Sequence, residues 1–395
     1  MNIIEQFKEI AAADFNPLLS RAKDEGRKIM GYFCAYIPEE VIHAAGFIPY
    51  RMRTAGTRGT LKGDVYFASL NCTFVRHCFD KALNNDFDFL DGIIFMNGCD
   101  HTRRMYDNWR HADLDPSFRF MFVAPHMINS SAENRLEAEI KKLITAMEEH
   151  YGFSFSRERL RASIELYNRR RDLLGQIDQL RKADPLPIRG SEFFAIIQAL
   201  TALPVEESIE LLEKAIDFLK NRNVSVPSEV RVFIAAGCVE EISHLELIES
   251  SGGAIVGDNI CLGSRYFDLQ VDRKEEPVRA LALRYLNHVS CPRMMNDFRR
   301  RIDFIKKQIS ERKIEAIIAE KLKFCDLWGG ELFIYRREFK EAGTPLLPLE
   351  LELYSGSTGQ IKTRLQAFFE QVRNRHEISD ELIRTAGSNY RFSED

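Results

Sequence analysis

The chain has 395 residues, of which 45% are hydrophobic and 29% are charged, and its formal net charge is −4 at pH 7. This length predicts two or three domains, and the composition is that of a globular protein with a large core. The near balance of 55 basic and 59 acidic residues argues against a nucleic-acid or anionic-membrane partner bound through bulk charge.

The amino-terminal stretch MNIIEQFKEI carries Glu5 and Glu9, so it lacks the apolar core of a signal peptide. No window approaches the roughly 20 apolar residues that a membrane-spanning helix needs. We therefore expect a cytoplasmic protein with no membrane partner. In such a reducing compartment, disulfides are not expected. The eight cysteines are Cys34, Cys72, Cys78, Cys99, Cys238, Cys261, Cys291 and Cys325.

The first third of the chain alternates helical patterns with short apolar runs. A first helix ends before Pro17, and a strand then leads to a helix that begins at Pro38, with two glutamates in its first turn. A loop delivers Cys72 to the start of the next helix. The apolar run 92–97, a helix and the apolar run 118–125 follow. This alternation predicts strands that pair in parallel.

Long, charged helices are predicted between about residue 131 and residue 225. Apolar strands without a polar face then return, as is typical of parallel sheets that helices cover on both sides. These strands are predicted at 230–238, 252–261, 314–325 and 344–351. The predicted fold class is α/β, with an N-terminal α/β domain over 1–130, a helical segment over 131–227 and a C-terminal α/β domain over 228–395.

Four cysteines follow predicted strands directly, and open α/β sheets bind their ligands outside the carboxyl ends of the strands. They are Cys99, Cys238, Cys261 and Cys325. Cys72 precedes a helix, where backbone N–H groups stabilise a thiolate. Taken singly, each cysteine is best explained as a small buried residue, but several at one rim favour a metal site. Asp100 and Asp326 follow their cysteines and are predicted to cap the next helices.

The spacing of the cysteines limits the kind of metal site. No CxxC pair is present, which excludes a zinc ribbon and an ordinary ferredoxin run. Cys72 and Cys78 lie about 240° apart around a helix and cannot face one site together. Ligands would have to come singly from distant segments, and thiolates favour an Fe–S cluster or zinc.

Other catalytic signatures do not occur in the sequence. The glycine-rich stretch 355–359 has no Gly-Lys-Ser/Thr and so is not a nucleotide loop, and GxGxxG, GxSxG and HxxxH patterns are absent. Glu39 and Glu40 are interpreted first as acids in the first turn of a helix, and second as a functional acid or base near the cleft.

The residues resemble the 2-hydroxyacyl-CoA dehydratase D-component and class I ATP-dependent benzoyl-CoA reductase family over nearly the whole chain. The resemblance rests on GYFCAYIPEEVIHAAGFIPYRM, SLNCTFVRHCFDKAL, FDFLDGIIFMNGCDHTRRMYDNWR, GDNICLGSRYFD, EKLKFCDLWGGE and GTPLLPLELE. The motif MNGCDHTRRMYDNWR and the chain length are most similar to those of the smaller cluster-binding subunit of benzoyl-CoA reductase.

This resemblance implies two flavodoxin-like parallel-sheet domains with a [4Fe–4S] cluster in the cleft between them. By motif, its cysteine ligands fall on Cys72, Cys99 and Cys325. No catalytic residue is assigned, although Glu40 matches a frequent glutamate of the first motif. Cys34 and Cys261 also lie in family motifs, either near the substrate or the cluster or simply in the core.

The resemblance also implies partners and a reaction. A homologous cluster-binding subunit would complete a heterodimer that binds the acyl-CoA, and a separate Fe–S ATPase, with ferredoxin as the electron source, would deliver low-potential electrons. The predicted function is therefore a subunit of a benzoyl-CoA (aryl-CoA) reductase that reduces the aromatic ring to a dienoyl-CoA during anaerobic aromatic degradation.

Three alternatives stay open at the level of sequence. The first is a subunit of an (R)-2-hydroxyacyl-CoA dehydratase, which acts through a ketyl radical without net redox change. The second is the branch of the wider family that carries a double-cubane cluster and needs more thiolates, which eight cysteines permit. The third is a cluster-free scaffold or assembly protein.

Overall fold

The computed structural model describes residues 2–222, 230–356 and 358–388. The predicted boundary between residues 227 and 228 falls in 223–229, outside the described residues, as do the last seven residues of the predicted C-terminal domain. Within the part of the chain that is described, no helix combines the length and apolar content that a membrane crossing requires.

The first parallel sheet lies in the N-terminal part of the chain and has the strand order β2-β1-β3-β4. Its strands are β1 (Lys28–Tyr32), β2 (Phe47–Arg51), β3 (Gly92–Met96) and β4 (Arg119–Phe122). Its helices are α1 (Ile3–Ala12), α2 (Pro17–Asp24), α3 (Glu39–Ala44), α4 (Thr73–Leu83) and α5 (Asp100–His111). Every residue of β2 and β3 is buried, whereas β4 alternates half-buried and buried residues.

Local sequence signals set several helix starts in this part. The Asn2 side chain accepts hydrogen bonds from the backbone N–H groups of Ile4 and Glu5, at 2.9 and 3.0 Å, and so caps α1. Asn16 caps α2 in the same way, with Pro17 as the first helical residue. Pro38 precedes α3, as the sequence predicts.

Four helices follow the first sheet. They are α6 (Ser130–Tyr151), α7 (Arg157–Leu180), α8 (Gly190–Leu200) and α9 (Val205–Lys220). All eleven residues of α8 are buried, because this helix packs between α1 and the second sheet. Ile4 and Phe7 of α1 therefore belong to the same apolar core as the strands of the second sheet.

The second parallel sheet has the strand order β6-β5-β7-β8. Its strands are β5 (Val230–Ala235), β6 (Gly253–Asp258), β7 (Ala316–Leu322) and β8 (Leu346–Leu351). The accompanying helices are α10 (Ile242–Ser250), α11 (Ser264–Phe267), α12 (Pro277–Asn287), α13 (Phe298–Arg312), α14 (Asp326–Glu341) and α15 (Thr358–Ser388).

The two sheets share one topology. In each, the first strand is central, the second lies on one side, and the third and fourth lie on the other. The chain therefore reverses direction across the sheet between β1 and β3, and again between β5 and β7. Such switch points open a crevice at the carboxyl ends of the strands. The predicted α/β class with parallel sheets is confirmed, and the arrangement is consistent with two flavodoxin-like domains.

Candidate functional site

Four strands are each followed by a cysteine three residues after the strand ends: β3, β5, β6 and β7. Cys99 lies three residues after the end of β3, and Cys325 lies three residues after the end of β7. Cys238 and Cys261 stand three residues after β5 and β6. The predicted placement of these four cysteines at the carboxyl ends of strands is therefore confirmed.

The three cysteines singled out by the sequence each stand immediately before a helix. Cys72 is the N-cap residue of α4, Cys99 of α5 and Cys325 of α14. The first turn of a helix carries unpaired backbone N–H groups and the positive end of the helix dipole, which favour negative charge. All three sulfurs are therefore placed where a thiolate, or a thiolate bound to metal, is stabilised.

These three thiols also lie near one another. Burial raises the pKa of Cys72 to about 12, and Cys99 and Cys325 contribute to the rise because like charges repel. Burial likewise raises the pKa of Cys325 to about 12, with Cys99 again contributing. Cys72, Cys99 and Cys325 are thus close enough for their charges to interact.

The three thiols have the chemistry of cluster ligands. Among the described residues, no three histidine, cysteine, aspartate or glutamate side chains converge closely enough to share one metal ion. The ligands of a cluster bind different irons and stand farther apart than those of one ion. Three soft thiols at helix N-termini, one buried and two half-buried, fit an Fe–S cluster in their chemistry.

The prediction that the two aspartates cap their helices is wrong. The cysteines themselves are the N-cap residues, and Asp100 and Asp326 are the first residues inside α5 and α14. Asp100 is 82% exposed and pairs with Arg103 at 3.0 Å. A carboxylate in the first turn is favoured by the helix dipole, which accounts for both aspartates without a capping bond.

Thr102 and His101 fix the surroundings of Cys99 and were not singled out from the sequence. The Thr102 hydroxyl donates to the Met96 carbonyl at 2.9 Å and lies 3.6 Å from the Cys99 sulfur. His101 Nδ1 accepts the backbone N–H of Cys72 at 3.2 Å, and burial lowers the pKa of this imidazole. His101 therefore joins the two cysteine-bearing segments. The position of His101 two residues after Cys99 is the sequence feature that could have indicated this role.

A second group of thiols lies beside the first. We call it the second thiol group: Cys34, Cys238, Cys261 and Cys291. Cys261 donates its backbone N–H to the Gly237 carbonyl at 3.1 Å, and the Arg265 guanidinium lies 3.5 Å from the Cys261 sulfur. Burial raises the pKa of Cys34 to about 11, with Cys261 adding to the rise. Cys261 and Cys291 also raise the pKa of Cys325, so the two groups adjoin.

Arg51, at the end of β2, faces the second thiol group. It is 3% exposed, and its Nε and Nη1 atoms have no hydrogen-bond partner within the described residues. Burial disfavours its charge, yet Cys238 and Cys261 outweigh that effect and leave the pKa of Arg51 above its usual value. A buried cation with unused donors fits an anionic neighbour such as a set of metal-bound thiolates.

Glu39 and Glu40 both lie in the first turn of α3, as predicted, but neither is open to the cleft. Arg171 and Tyr285 donate to Glu40, which is fully buried. Burial raises the pKa of Glu40, but Arg171 and Arg284 outweigh this effect and lower it overall. Glu40 is therefore held ionised in an ion pair, a geometry suited to holding elements together and not to donating a proton.

Glu39 forms the other half of this buried network. It accepts hydrogen bonds from Tyr32 at 2.6 Å, Arg170 at 2.7 Å and Tyr266 at 2.9 Å. Its partners come from β1, α7 and α11, so the network ties the first sheet, the middle helices and the second sheet together.

The fold and the site define an α/β protein that gathers thiols at the switch points of two parallel sheets. The family model for the 2-hydroxyglutaryl-CoA dehydratase D-component matches residues 34–372. The chain therefore belongs to the 2-hydroxyglutaryl-CoA dehydratase D-component family, and the family predicted from the sequence is confirmed.

Relatives with assigned names include both kinds of enzyme. The chain is 25% identical to the (R)-phenyllactyl-CoA dehydratase beta subunit of Clostridium sporogenes, over 93% of this chain and 97% of that protein. It is also 25% identical to a benzoyl-CoA reductase subunit of Thauera aromatica, over 89% and 92%. The lactoyl-CoA dehydratase beta subunit of Anaerotignum propionicum is 24% identical over 94% and 98%. These relatives are all enzyme subunits that act on CoA thioesters by name.

Proposed function

We propose that the chain is the [4Fe–4S]-binding subunit of an ATP-dependent benzoyl-CoA (aryl-CoA) reductase, which helps to bind the acyl-CoA and delivers single low-potential electrons to its ring. The observation that supports the proposal is that Cys72, Cys99 and Cys325 each precede a helix and that their charges act on one another. The relationship to a benzoyl-CoA reductase subunit over nearly the whole chain supports it.

The residues of this chain have separable roles in the proposal. Cys72, Cys99 and Cys325 would hold the cluster, which when bound supplies the electron. The N-termini of α4, α5 and α14 carry unpaired backbone N–H groups beside these cysteines and would stabilise negative charge on each sulfur. His101 and Thr102 position two of the cysteine segments through the hydrogen bonds described above. The burial of Cys72 keeps water from the sulfur.

The proposal requires partners. The relatives are named as single subunits of larger enzymes, which supports an assembly of several chains. We propose a homologous cluster-binding subunit that completes the acyl-CoA site, and a separate Fe–S ATPase that receives electrons from ferredoxin. The lack of a phosphate-binding loop in this sequence agrees with ATP being used by another subunit.

A dehydratase subunit is the alternative within the same chemistry, and relatives named as phenyllactyl-CoA and lactoyl-CoA dehydratase subunits support it. The test is an anaerobic assay of the complex purified with its native partners, with benzoyl-CoA and with a 2-hydroxyacyl-CoA. Ring reduction with stoichiometric ATP use supports the reductase. Formation of an enoyl-CoA with only catalytic amounts of ATP consumed would contradict the reductase and support the dehydratase.

A larger cluster is a second candidate, because the second thiol group adjoins the first and Arg51 offers unused donors beside it. Together the two groups supply more thiolates than one [4Fe–4S] cluster needs. Iron analysis of the anaerobically purified chain separates the two: about four irons per chain supports a single cluster, and about eight supports a double-cubane cluster.

A further inference from the structure

A cavity of about 350 Å³ lies at the carboxyl end of the second sheet, at the switch point between β5 and β7. It is bordered by the loop after β5, by α10, and by the ends of β7 and β8. None of Cys72, Cys99 and Cys325 lines it. Its position is where open parallel sheets bind small molecules, so it is a candidate ligand site in its own right.

Among the described residues, one buried carboxylate oxygen of this cavity has no hydrogen-bond partner. Glu320, near the end of β7, is 2% exposed, and its Oε1 is paired with His244 Nε2 at 2.7 Å. Its Oε2 is buried and has no hydrogen-bond partner within the described residues. A buried carboxylate oxygen left without a donor is unfavourable, so Glu320 is placed to accept a hydrogen bond from a ligand.

The fold itself does not require a carboxylate at this position. Glu320 of β7 lies five residues before Cys325. Ile94 of β3 lies five residues before Cys99. Ile94 is fully buried in the matching place of the first sheet. An apolar side chain therefore serves the same topology, so the carboxylate of Glu320 serves the His244 pair and the cavity that both residues line.

The charges around the cavity are mainly negative. Five glutamates line it (Glu240, Glu241, Glu246, Glu320 and Glu352), against Lys321 and His244. Glu246 pairs with Lys8 at 3.3 Å and Glu352 with Lys323 at 3.6 Å, which neutralises two of them. Glu240 is buried, and the groups that donate to it are the Thr54 N–H and hydroxyl and the Cys238 thiol, all uncharged. The field disfavours a phosphate or carboxylate and favours a cation.

Much of the remaining lining is apolar. Val239, Leu247, Leu322, Leu351 and Ile361 face the cavity. They can bury a hydrocarbon or aromatic body of modest size, while Glu320 provides a polar anchor at one place. The lining thus combines an apolar container, one unused buried acceptor and a net negative charge.

We propose that this cavity binds a small molecule that has an apolar body and a protonated amine, whose N–H group donates to Glu320 Oε2. This ligand site is additional to the thiol site and does not depend on the proposed reaction. It also predicts that the phosphate-bearing end of a CoA thioester does not occupy this cavity.

Three probes of similar shape test the proposal: benzylamine, which is protonated at pH 7, benzyl alcohol, which is neutral, and benzoate, which is anionic. Their binding to the purified full chain is measured by calorimetry and by saturation-transfer NMR. Benzylamine is expected to bind saturably and more tightly than benzyl alcohol, with benzoate weakest. No saturable benzylamine binding at millimolar concentration, or benzoate binding equal to benzylamine, overturns the proposal.

Two variants locate the binding. Glu320→Gln is expected to weaken benzylamine by about tenfold, the loss of a charge-assisted hydrogen bond, and to leave benzyl alcohol nearly unchanged. Ser243 is exposed at the cavity rim on α10, so Ser243→Trp blocks the opening without altering a buried group and is expected to abolish binding. Glu149→Gln, at an exposed residue of α6 that does not line the cavity, is the control and should retain binding. Unchanged benzylamine affinity in Ser243→Trp contradicts the proposal even if Glu320→Gln does not fold.

Discussion

The two parallel sheets of this protein repeat one plan and differ in what they add to it. Both have a central first strand, a switch point, and a third strand followed after three residues by an N-cap cysteine and then an aspartate. They differ five residues before that cysteine, where the first sheet has Ile94 and the second has Glu320. We infer that the repeated features serve the fold and the proposed cluster site, and that the differing feature serves the proposed ligand cavity of the second half.

The comparison predicts that the matching cysteines are equivalent in function. Cys99→Ser and Cys325→Ser should each remove iron and lower activity of the assembled enzyme by about 100-fold or more, because a hydroxyl is a poor ligand for iron in a cluster. Iron analysis and turnover of the complex measure both effects. This is the largest effect that we expect.

Cys78 provides the matched control for these variants. It is a fully buried residue of α4 itself, six residues after the N-cap Cys72, and it belongs to the apolar core. Cys78→Ala should keep the iron content of the wild type. Equal iron loss in Cys78→Ala, or full iron retention in only one of the two matched variants, would contradict the equivalence of the two halves at this site.

The second prediction concerns the contacts that hold the halves together. Arg171→Leu removes the cation that is hydrogen-bonded to the buried Glu40 carboxylate and should lower the free energy of unfolding by about 3–5 kcal/mol. Glu40 lies in the first half, and its other donor, Tyr285, lies in the second. Urea unfolding of the purified chain measures the change.

Arg169→Leu is the control on the same helix. Arg169 and Glu213 pair at 2.7 Å, but both side chains are about half exposed, so the loss should be at most about 1 kcal/mol. If the two substitutions destabilise the chain equally, the buried ion-pair network does not join the halves as described.

The third prediction concerns the pair that only the second half has. Burial lowers the pKa of His244, but Glu320 and Glu241 outweigh this effect and raise it overall. The folded pKa then lies above the unfolded value of about 6.5, so the stabilisation is fully present below that pH and is lost as pH rises through the folded pKa.

Thermal unfolding at pH 6 and at pH 9 checks this sign. The wild type should lose more stability over that interval than His244→Gln, which has no proton to lose at this position. Parallel losses in the two proteins would show that the His244–Glu320 pair does not contribute to the pH dependence.

The smallest expected effects come from the aspartates that follow the cysteines. Asp100→Asn and Asp326→Asn each remove a negative charge from the first turn of a helix, which should reduce stability by about 0.3–1 kcal/mol. Because the cysteines and not the aspartates are the N-cap residues, iron content should stay unchanged. Iron loss in either variant would show that the carboxylate contributes directly to holding the cluster.

Much of the fold could be predicted from local pattern. Apolar strands without a polar face gave the parallel sheets, and the rule that ligands bind at strand ends selected Cys99, Cys238, Cys261 and Cys325 before any contact was known. The joining of Cys72, Cys99 and Cys325 in one site came from the resemblance of whole motifs to a family, since spacing alone left zinc and Fe–S clusters open.

The features that escaped prediction depend on residues far apart in the chain. His244 and Glu320 are 76 residues apart, and Glu40 and Arg171 are 131 apart, so no local period links them. The second thiol group assembles from four segments in the same way. The N-caps of α5 and α14 were predicted wrongly for another reason. Aspartate is a much commoner N-cap residue than cysteine, so this preference selected the aspartate of each Cys-Asp pair.

The most direct test of the central claim is the iron and spectroscopic analysis of the anaerobically purified chain. If cysteines from both sheets and from α4 hold one cluster, the chain should contain about four irons with the Mössbauer and EPR signatures of a [4Fe–4S] centre, and Cys72→Ser should lack them. A wild-type chain without iron, or a Cys72→Ser chain with the same iron and spectra as the wild type, would contradict the claim.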